Sequence, residues 1–269
     1  NKLFNFYFFF KYLILNISLK LYKIKPNHNL DKKLTVSLTA KFERFKFLHL
    51  TLKSIFNQST QPDEIILWIE HKYKNQIPEK ILILKKFGLK ILFCKNFKSY
   101  NKIIHTLIIR KKNYIITFDD DIIYNNKSIE FLIKKAKKNK KSIIANRIHK
   151  IILDKNNNPV SYKNWHWNSM DHKKDKLNFQ TGVYGVLYPP NCLHKDTVKE
   201  RIFKKLSPYA DDIWLYWMIR INKKFIIWSG FKEKNIERIF FDKNNLRKLN
   251  ISKNHNDRKI KNLINYYGL

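Results

Sequence analysis

Cysteine is nearly absent from this chain, and its scarcity excludes whole classes of protein. Only Cys94 and Cys192 occur among 269 residues. Two cysteines cannot form the disulfide framework of a small secreted domain or a cysteine-based zinc site. We therefore expect a reducing compartment, with each cysteine packed as a small apolar side chain.

Glycine is also rare, with five residues in the chain. The sequence has no glycine-rich phosphate loop ending in lysine, no His-Glu-x-x-His helix and no Gly-x-Ser-x-Gly elbow. These absences argue against a P-loop nucleotidase, a zinc protease of that type and a serine hydrolase.

Acidic residues are few: 21, against 55 lysines and arginines, so the net charge is +34. Such an excess favours anionic partners, namely nucleic acid, an anionic membrane surface or phosphorylated substrates. The alternative is lysine spread over solvated faces, because lysine, asparagine and isoleucine are abundant throughout. The lysines are scattered and no nucleic-acid-binding motif occurs, so we expect no nucleic-acid partner.

No uncharged run reaches the ~20 apolar residues of a membrane-spanning helix. Residues 1–30 are instead rich in aromatic side chains with interspersed lysines, and they lack a signal-peptide cleavage site. This pattern predicts either an interfacial, membrane-associating helix or a helix packed on the main domain. We expect that main domain over residues 31–243, a basic tail over 244–269, and a cytoplasmic location at the inner face of the cytoplasmic membrane.

What the chain does contain is an alternation of apolar strands and amphipathic helices. Strands are predicted at 34–38, 64–69, 89–94 and 114–118, and helices at 45–56, 78–87, 101–110 and 125–140. This alternation implies right-handed crossovers and an α/β fold, with a mostly parallel central sheet covered by helices. Ligands of such sheets bind beyond the carboxyl ends of the strands.

The pattern changes after residue 142. It predicts a strand pair over 142–153, a helix over 208–222 and a late strand over 225–228. The helix opens with Asp211-Asp212. Since no internal repeat and no Gly/Ser linker occurs, we favour a single domain.

Three successive carboxylates, Asp119, Asp120 and Asp121, follow the fourth predicted strand. They repel each other unless a cation lies among them. Oxygen-only ligands suit Mg²⁺ or Mn²⁺, which would then hold the phosphates of a substrate. The alternative is a polar turn in which an aspartate caps a helix. Ser37 and Thr39 end the first strand, so they lie at the same edge of the sheet.

The order of these motifs resembles the glycosyltransferases of the GT-A fold, in particular family-2-like bacterial enzymes that build surface polysaccharides. The matching segments, in chain order, are 36–39 with Arg44, 54–58, Pro62-Asp63, 99–102, 116–121, 181–190 and 210–214. Each segment alone is a weak indication, whereas their joint order over about 35–220 is specific.

That resemblance implies a nucleoside-diphosphate sugar donor, such as a UDP-hexose, held through Mn²⁺ or Mg²⁺. The leaving diphosphate gains negative charge, which a cation stabilises. The metal ligands implied are Asp121 and Asp119, with Asp119 also on the donor, Asp120 sharing either task and His255 as a late ligand. The other donor contacts implied are Ser37, Thr39, Arg44, Lys102, Thr181, Gly182 and Gly185.

The resemblance also implies an acidic general base, which removes the proton of the attacking sugar hydroxyl. Repulsion between Asp211 and Asp212 would raise a pKa, and this favours Asp212 without excluding Asp211. Trp165 and Trp167 are predicted to stack on an acceptor sugar, with core packing as the alternative. The acceptor expected from the resemblance is a surface glycan (lipopolysaccharide, O-antigen or capsule) or a lipid-linked precursor.

Two other functions remain open from the residues. A sugar-phosphate nucleotidyltransferase shares the strand-end carboxylates, but it needs a glycine-rich loop after the first strand, and residues 37–41 contain no glycine. A non-enzymatic nucleic-acid-binding protein would explain the net charge, but not the strand-end motifs.

Overall fold

The computed structural model describes residues 13, 21, 23–232, 239 and 255–268. Most of the predicted membrane-associating segment and residues 244–254 of the predicted tail lie outside the described residues. In the described part of the chain, no helix is both long enough and apolar enough to cross a membrane.

The first half alternates strands and helices, as the hydrophobic pattern predicts. The strands are β1 Leu34–Thr39, β2 Glu64–Glu70, β3 Leu89–Cys94 and β4 Tyr114–Thr117, and the helices are α1 Phe45–Phe56, α2 Glu79–Leu82, α3 Ile104–Ile109 and α4 Ser128–Lys138. Strands β1, β2 and β4 are buried along almost their whole length, as strands covered on both faces must be. The predicted helix 78–87 continues from α2 as a 3-10 helix, Ile83–Phe87.

Three strands of the second half complete the main sheet: β5 Ile143–Ala145, β9 Val186–Tyr188 and β10 Ile226–Trp228. The strand order is β10-β5-β9-β4-β1-β2-β3. Strand β9 is antiparallel to both of its neighbours, and the other pairs are parallel. The predicted α/β fold with a mostly parallel central sheet is confirmed.

The predicted strand pair over 142–153 is wrong in its pairing. Strand β6, Ile148–Lys150, forms a separate antiparallel sheet with β7, His166–Ser169, and β8, Asn178–Gln180. A hairpin between β5 and β6 cannot form because β9 and β10 already pair with the two sides of β5. The chain therefore leaves the main sheet after Ala145, and the small sheet forms one side of the cleft described below.

Three further helices close the domain: α5 Glu200–Leu206, α6 Asp211–Ile221 and α7 His255–Tyr267. In α7, Ile260 and Leu263 are buried at a three-residue spacing, which turns one face of the helix toward the core. Residues 255–267, predicted as part of a basic tail, are therefore a packed helix. Helix α6 is buried along most of its length, and this fixes its first turn at the edge of the sheet.

Candidate active site

A cleft of about 750 Å³ opens where the parallel strands of the main sheet end. Its walls include Thr39 at the end of β1, Glu70 at the end of β2, the three carboxylates after β4 and the first turn of α6. This is the edge at which α/β sheets bind ligands. The volume lies within the ~300–1,000 Å³ typical of small-molecule sites.

Arg44 neutralises part of the strand-end acid. Its guanidinium forms an ion pair with Asp120 and lies 3.3 Å from Asp121 Oδ2. Burial raises the pKa of Asp120, and the charge of Arg44 opposes that rise. Burial would also lower the pKa of Arg44, but the two carboxylates outweigh it and raise that pKa. Arg44, predicted as a donor contact, thus lies in the cleft wall and binds carboxylates of its own chain.

Lys102 joins the two acidic motifs of the sequence. Its ammonium is buried and lies 2.8 Å from Asp119 Oδ1 and 3.0 Å from Asp211 Oδ2. Burial alone would lower the pKa of Lys102, but the charges of Asp119, Asp211 and Asp212 outweigh it and raise that pKa well above its ordinary value. Lys102 therefore stays charged between Asp119 and Asp211.

Asp212 has a different environment from Asp211. Its Oδ2 accepts a hydrogen bond of 3.1 Å from the backbone N–H of Gly182. Burial, followed by the negative charge of Asp211, raises the pKa of Asp212 to about 7. A carboxylate with such a pKa can accept a proton near neutral pH, as a general base must.

Gly182 lies where these groups meet. A Cβ atom at this position would lie 2.9 Å from Lys102 Nζ, 3.3 Å from Asp212 Oδ1 and 3.5 Å from Asp119 Oδ1. The absence of a side chain therefore lets the lysine and the carboxylates approach one another. Gly182 is one of the predicted donor contacts. The structure adds a steric reason for glycine at this position.

The other predicted donor residues are placed unequally. Thr39 and Thr181 line the cleft. Ser37 is buried, and its hydroxyl forms a 2.6 Å hydrogen bond with the Thr106 hydroxyl, so it is a core residue. Gly185 has a φ of +101°, and a Cβ there would overlap the Phe118 ring, so it serves the backbone and the core rather than the cleft wall.

The two predicted acceptor tryptophans also separate. Trp165 is 3% exposed and its indole N–H donates to the Val160 carbonyl, so it is a core residue. Trp167 lines the cleft with His149 and Tyr162, and its ring stacks on that of His149 at 4.8 Å between centroids. An aromatic wall is thus present on the small-sheet side of the cleft, with Trp167 in it.

The carboxylates have the chemistry of a metal site but do not form a complete one. Within the residues that the structure describes, no group of three or more His, Cys, Asp or Glu side chains is arranged to hold a metal ion. His255 is the first residue of α7, and its neighbour Asn256 lines the cleft. Asp119 and Asp121 still fit a hard cation, since Mg²⁺ often takes one or two carboxylates and completes its shell with phosphates and water.

Several cleft residues were missed by sequence reasoning. Phe42 and Tyr73 stack at 4.6 Å between ring centroids beside Glu70. Arg147 and Tyr209 line the other side. An aromatic residue after a strand is common in any fold, so nothing in the sequence singled out Phe42 or Tyr73. Glu70 could have been selected, because it is a polar residue at the end of the buried strand β2.

Comparison with known protein families gives a match that agrees with this α/β fold and its cleft. The sequence model described as glycosyl transferase family 2 matches residues 36–203, which run from β1 into α5. The α/β fold of this chain is the GT-A-like fold of nucleotide-sugar transferases.

The chain belongs to glycosyl transferase family 2. No curated protein matches it. The crystal structure of S. aureus TarS 1-349 matches with 11% sequence identity and a TM-score of 0.44. That match covers 74% of this chain and 58% of the TarS chain, which is less than two thirds of it.

Proposed function

We propose that this glycosyltransferase moves a hexose from a nucleoside-diphosphate sugar to a hydroxyl group of a glycan, with Asp212 as the general base. One observation carries the proposal: the strand-end carboxylates and the helix-end carboxylates meet at a single buried lysine, Lys102, in the wall of one cleft. Donor chemistry and proton removal must occur within a few ångströms of each other, and this arrangement supplies both.

The donor diphosphate lies at the strand-end carboxylates in this proposal. Five aspartates line the cleft with Arg44 and Lys102 as their buried ion-pair partners among the described residues. A divalent cation on Asp121 and Asp119 would attract the diphosphate, because it adds positive charge among these carboxylates. Mn²⁺ or Mg²⁺ would supply stabilisation of the charge that develops on the leaving diphosphate.

The nucleoside lies on the β2 side of the cleft. Tyr73 and Phe42 offer an aromatic surface there, and Glu70 offers a hydrogen-bond acceptor. Aromatic rings and a carboxylate suit the flat base and the hydroxyl groups of a ribose. Thr39 and Thr181 complete the donor contacts.

Asp212 is preferred over Asp211 as the base because of what each contacts. Asp211 pairs with the Lys102 ammonium at 3.0 Å, so its carboxylate is engaged in holding the lysine. Asp212 has the raised pKa, and its fixed hydrogen bond to Gly182 orients it. Asp211 and Lys102 then serve as positioning residues.

The acceptor enters along the small sheet, where Trp167, Tyr162 and His149 offer aromatic faces. Aromatic side chains pack on the apolar faces of sugars. We propose a bacterial surface glycan or its lipid-linked precursor as the acceptor, at the inner face of the cytoplasmic membrane. The excess of basic residues supports contact with an anionic membrane.

Calorimetry with UDP and GDP, with and without Mn²⁺, tests the proposal. We expect metal-dependent binding of one nucleotide, with at least a tenfold loss of affinity in Asp121→Ala. Glu79→Ala removes an exposed carboxylate outside the cleft and should bind like the unaltered protein. Nucleotide binding that ignores both Mn²⁺ and the Asp121 substitution would reject the metal-assisted mechanism.

A further inference from the structure

A second, smaller pocket of about 340 Å³ adjoins the cleft. Its lining includes Phe97, Tyr100 and Phe203, with Lys98 and Tyr209 at its boundary. Lys98 and Tyr209 also line the main cleft. These two residues therefore form a rim that both cavities share.

Both rim residues have a backbone conformation that side chains other than glycine rarely adopt. Lys98 has a φ of +58° and Tyr209 a φ of +60°. For an aromatic residue this conformation costs about 1–2 kcal/mol, and such strain is found mainly at functional sites. Tyr209 lies three residues before Asp212, so the strained residue is close in sequence to the proposed base.

The loop that carries Tyr209 is held in place from beneath. The buried Tyr100 hydroxyl donates a 2.5 Å hydrogen bond to the Ser207 carbonyl, and the Ser207 hydroxyl donates to the Ala210 carbonyl at 3.0 Å. Tyr100 belongs to the 3-10 turn Lys98–Lys102. One short turn therefore positions Lys98, Lys102 and, through Tyr100, the Tyr209 loop.

The Tyr209 ring faces solvent although it is held so firmly. It is 54% exposed, and in the described part of the chain its ring and hydroxyl contact no hydrogen-bond or stacking partner. Phe97, by contrast, is already engaged, because the His105 ring stacks on it at 4.9 Å and Lys204 Nζ lies 5.3 Å from its centroid. Tyr209 is thus the aromatic residue of this pocket whose ring face is open to a ligand.

Resting on the proposed function, we propose that the rim and the second pocket bind the second sugar residue of the acceptor, so that the enzyme acts on a glycan of at least two residues. The Tyr209 ring packs on the apolar face of that residue, and the Lys98 ammonium donates to one of its oxygen atoms. The first residue lies in the main cleft with its hydroxyl at Asp212. An aromatic face beside a lysine suits a sugar, which has an apolar face and a polar edge.

Binding of defined sugars tests this subsite. The probes are glucose, galactose and N-acetylglucosamine, each with its β-1,4-linked or β-1,3-linked disaccharides, measured by saturation-transfer NMR and calorimetry with and without UDP and Mn²⁺. Tyr209→Gly removes the ring and suits the positive φ, so the fold is not strained. Tyr209→Phe keeps the ring face, and Tyr266→Ala removes a similarly exposed ring, 56%, outside both cavities.

We expect at least one disaccharide to bind about fivefold more tightly than its monosaccharide, as one stacking contact provides. Tyr209→Gly should abolish that advantage and leave UDP affinity unchanged, while Tyr209→Phe and Tyr266→Ala keep it. The subsite is overturned if no disaccharide shows the advantage, or if Tyr209→Gly preserves it. UDP affinity, measured in the same titrations, reports on the proposed function separately.

Discussion

Buried acidic side chains lie at both ends of the parallel strands, and their pKa values are shifted in opposite directions. At the amino end, Glu64 accepts hydrogen bonds from Arg110, Lys90 and the Thr35 hydroxyl. Burial would raise the pKa of Glu64, but these three donors outweigh it and lower that pKa to about 2. One carboxylate with two cations is a closed structural unit.

At the carboxyl end, several carboxylates lie together. Asp119, Asp120, Asp121, Asp211 and Asp212 line one cleft, and Arg44 and Lys102 form buried ion pairs with four of them. Burial and Asp211 together raise the pKa of Asp212 to about 7. A raised carboxyl pKa means that ionisation of Asp212 opposes folding.

Under the proposed function, the contrast is between a buried acid that serves stability and one that serves chemistry. Glu64 has two cations as partners and a lowered pKa, whereas Asp212 has the Asp211 carboxylate as a neighbour and a raised pKa. Three experiments can break or sharpen this distinction.

The largest effect is expected on the rate. Asp212→Asn should lower kcat by about 10²–10⁴-fold, the usual contribution of a general base, because the amide cannot accept the hydroxyl proton. Nucleotide affinity should stay within about twofold. Steady-state kinetics and UDP titration measure the two quantities, and Glu64→Gln at the other edge provides the matched control with unchanged kcat.

Between pH 6 and 8, kcat/KM of the unaltered enzyme should rise as Asp212 loses its proton near pH 7. A flat profile in this range, or Asp212→Asn with normal kcat, would move the base role to Asp211.

The next effect is expected on stability, with opposite pH dependence at the two edges. The folded pKa of Glu64 is lowered, so its contribution is complete above about pH 4.5 and is lost as the pH falls toward 2. Glu64→Gln should therefore destabilise the protein by about 2–3 kcal/mol at pH 7 and by less at pH 3. Urea denaturation at both pH values measures this.

For Asp212, the folded pKa is raised from 3.8 to about 7, so its ionisation destabilises the fold as the pH rises through 7. Asp212→Asn should thus gain stability relative to the unaltered protein at pH 8 compared with pH 5. A parallel pH dependence for the Glu64 and Asp212 variants would contradict the distinction between the two edges.

The smallest effect separates two glycines of one loop. Gly185→Ala should destabilise by about 1–3 kcal/mol, because φ is +101° and the new Cβ overlaps the Phe118 ring. Gly182→Ala meets the movable ends of the Lys102, Asp212 and Asp119 side chains, so it should lower kcat with a stability change below about 1 kcal/mol. Thermal melts and kinetics of both variants check this; equal effects on both readouts would show that the loop acts as one unit.

Features set by neighbouring residues were predicted from the sequence, whereas features set by distant residues were not. The four strand–helix repeats of the first half were predicted because apolar period and strand length are local properties. The strand pair after residue 142 was not, because pairing depends on which sides of β5 are already occupied. Helix α7 was missed because six of its thirteen residues are lysine, arginine or asparagine, and its buried stripe of Ile260 and Leu263 is short.

The candidate site was predicted in its residue types more than in its contacts. The strand-end and helix-end aspartates do line one cleft. Lys102 was assigned to the donor, yet it holds Asp119 and Asp211 together. Trp165 and Ser37 proved to be core residues, because a sequence gives the polarity of a side chain but not the direction in which it points.

The order of residues along this chain was enough to determine an α/β fold and the edge of the sheet at which acid accumulates, since both follow from local periodicity and from the common direction of parallel strands. Only the tertiary structure decided which side chains surround each of those carboxylates. Residues 102, 119, 182 and 211–212 are far apart in sequence. Their burial and the distances between their charges, which shift the pKa values of Lys102 and Asp212, exist only after the two halves of the chain have packed together.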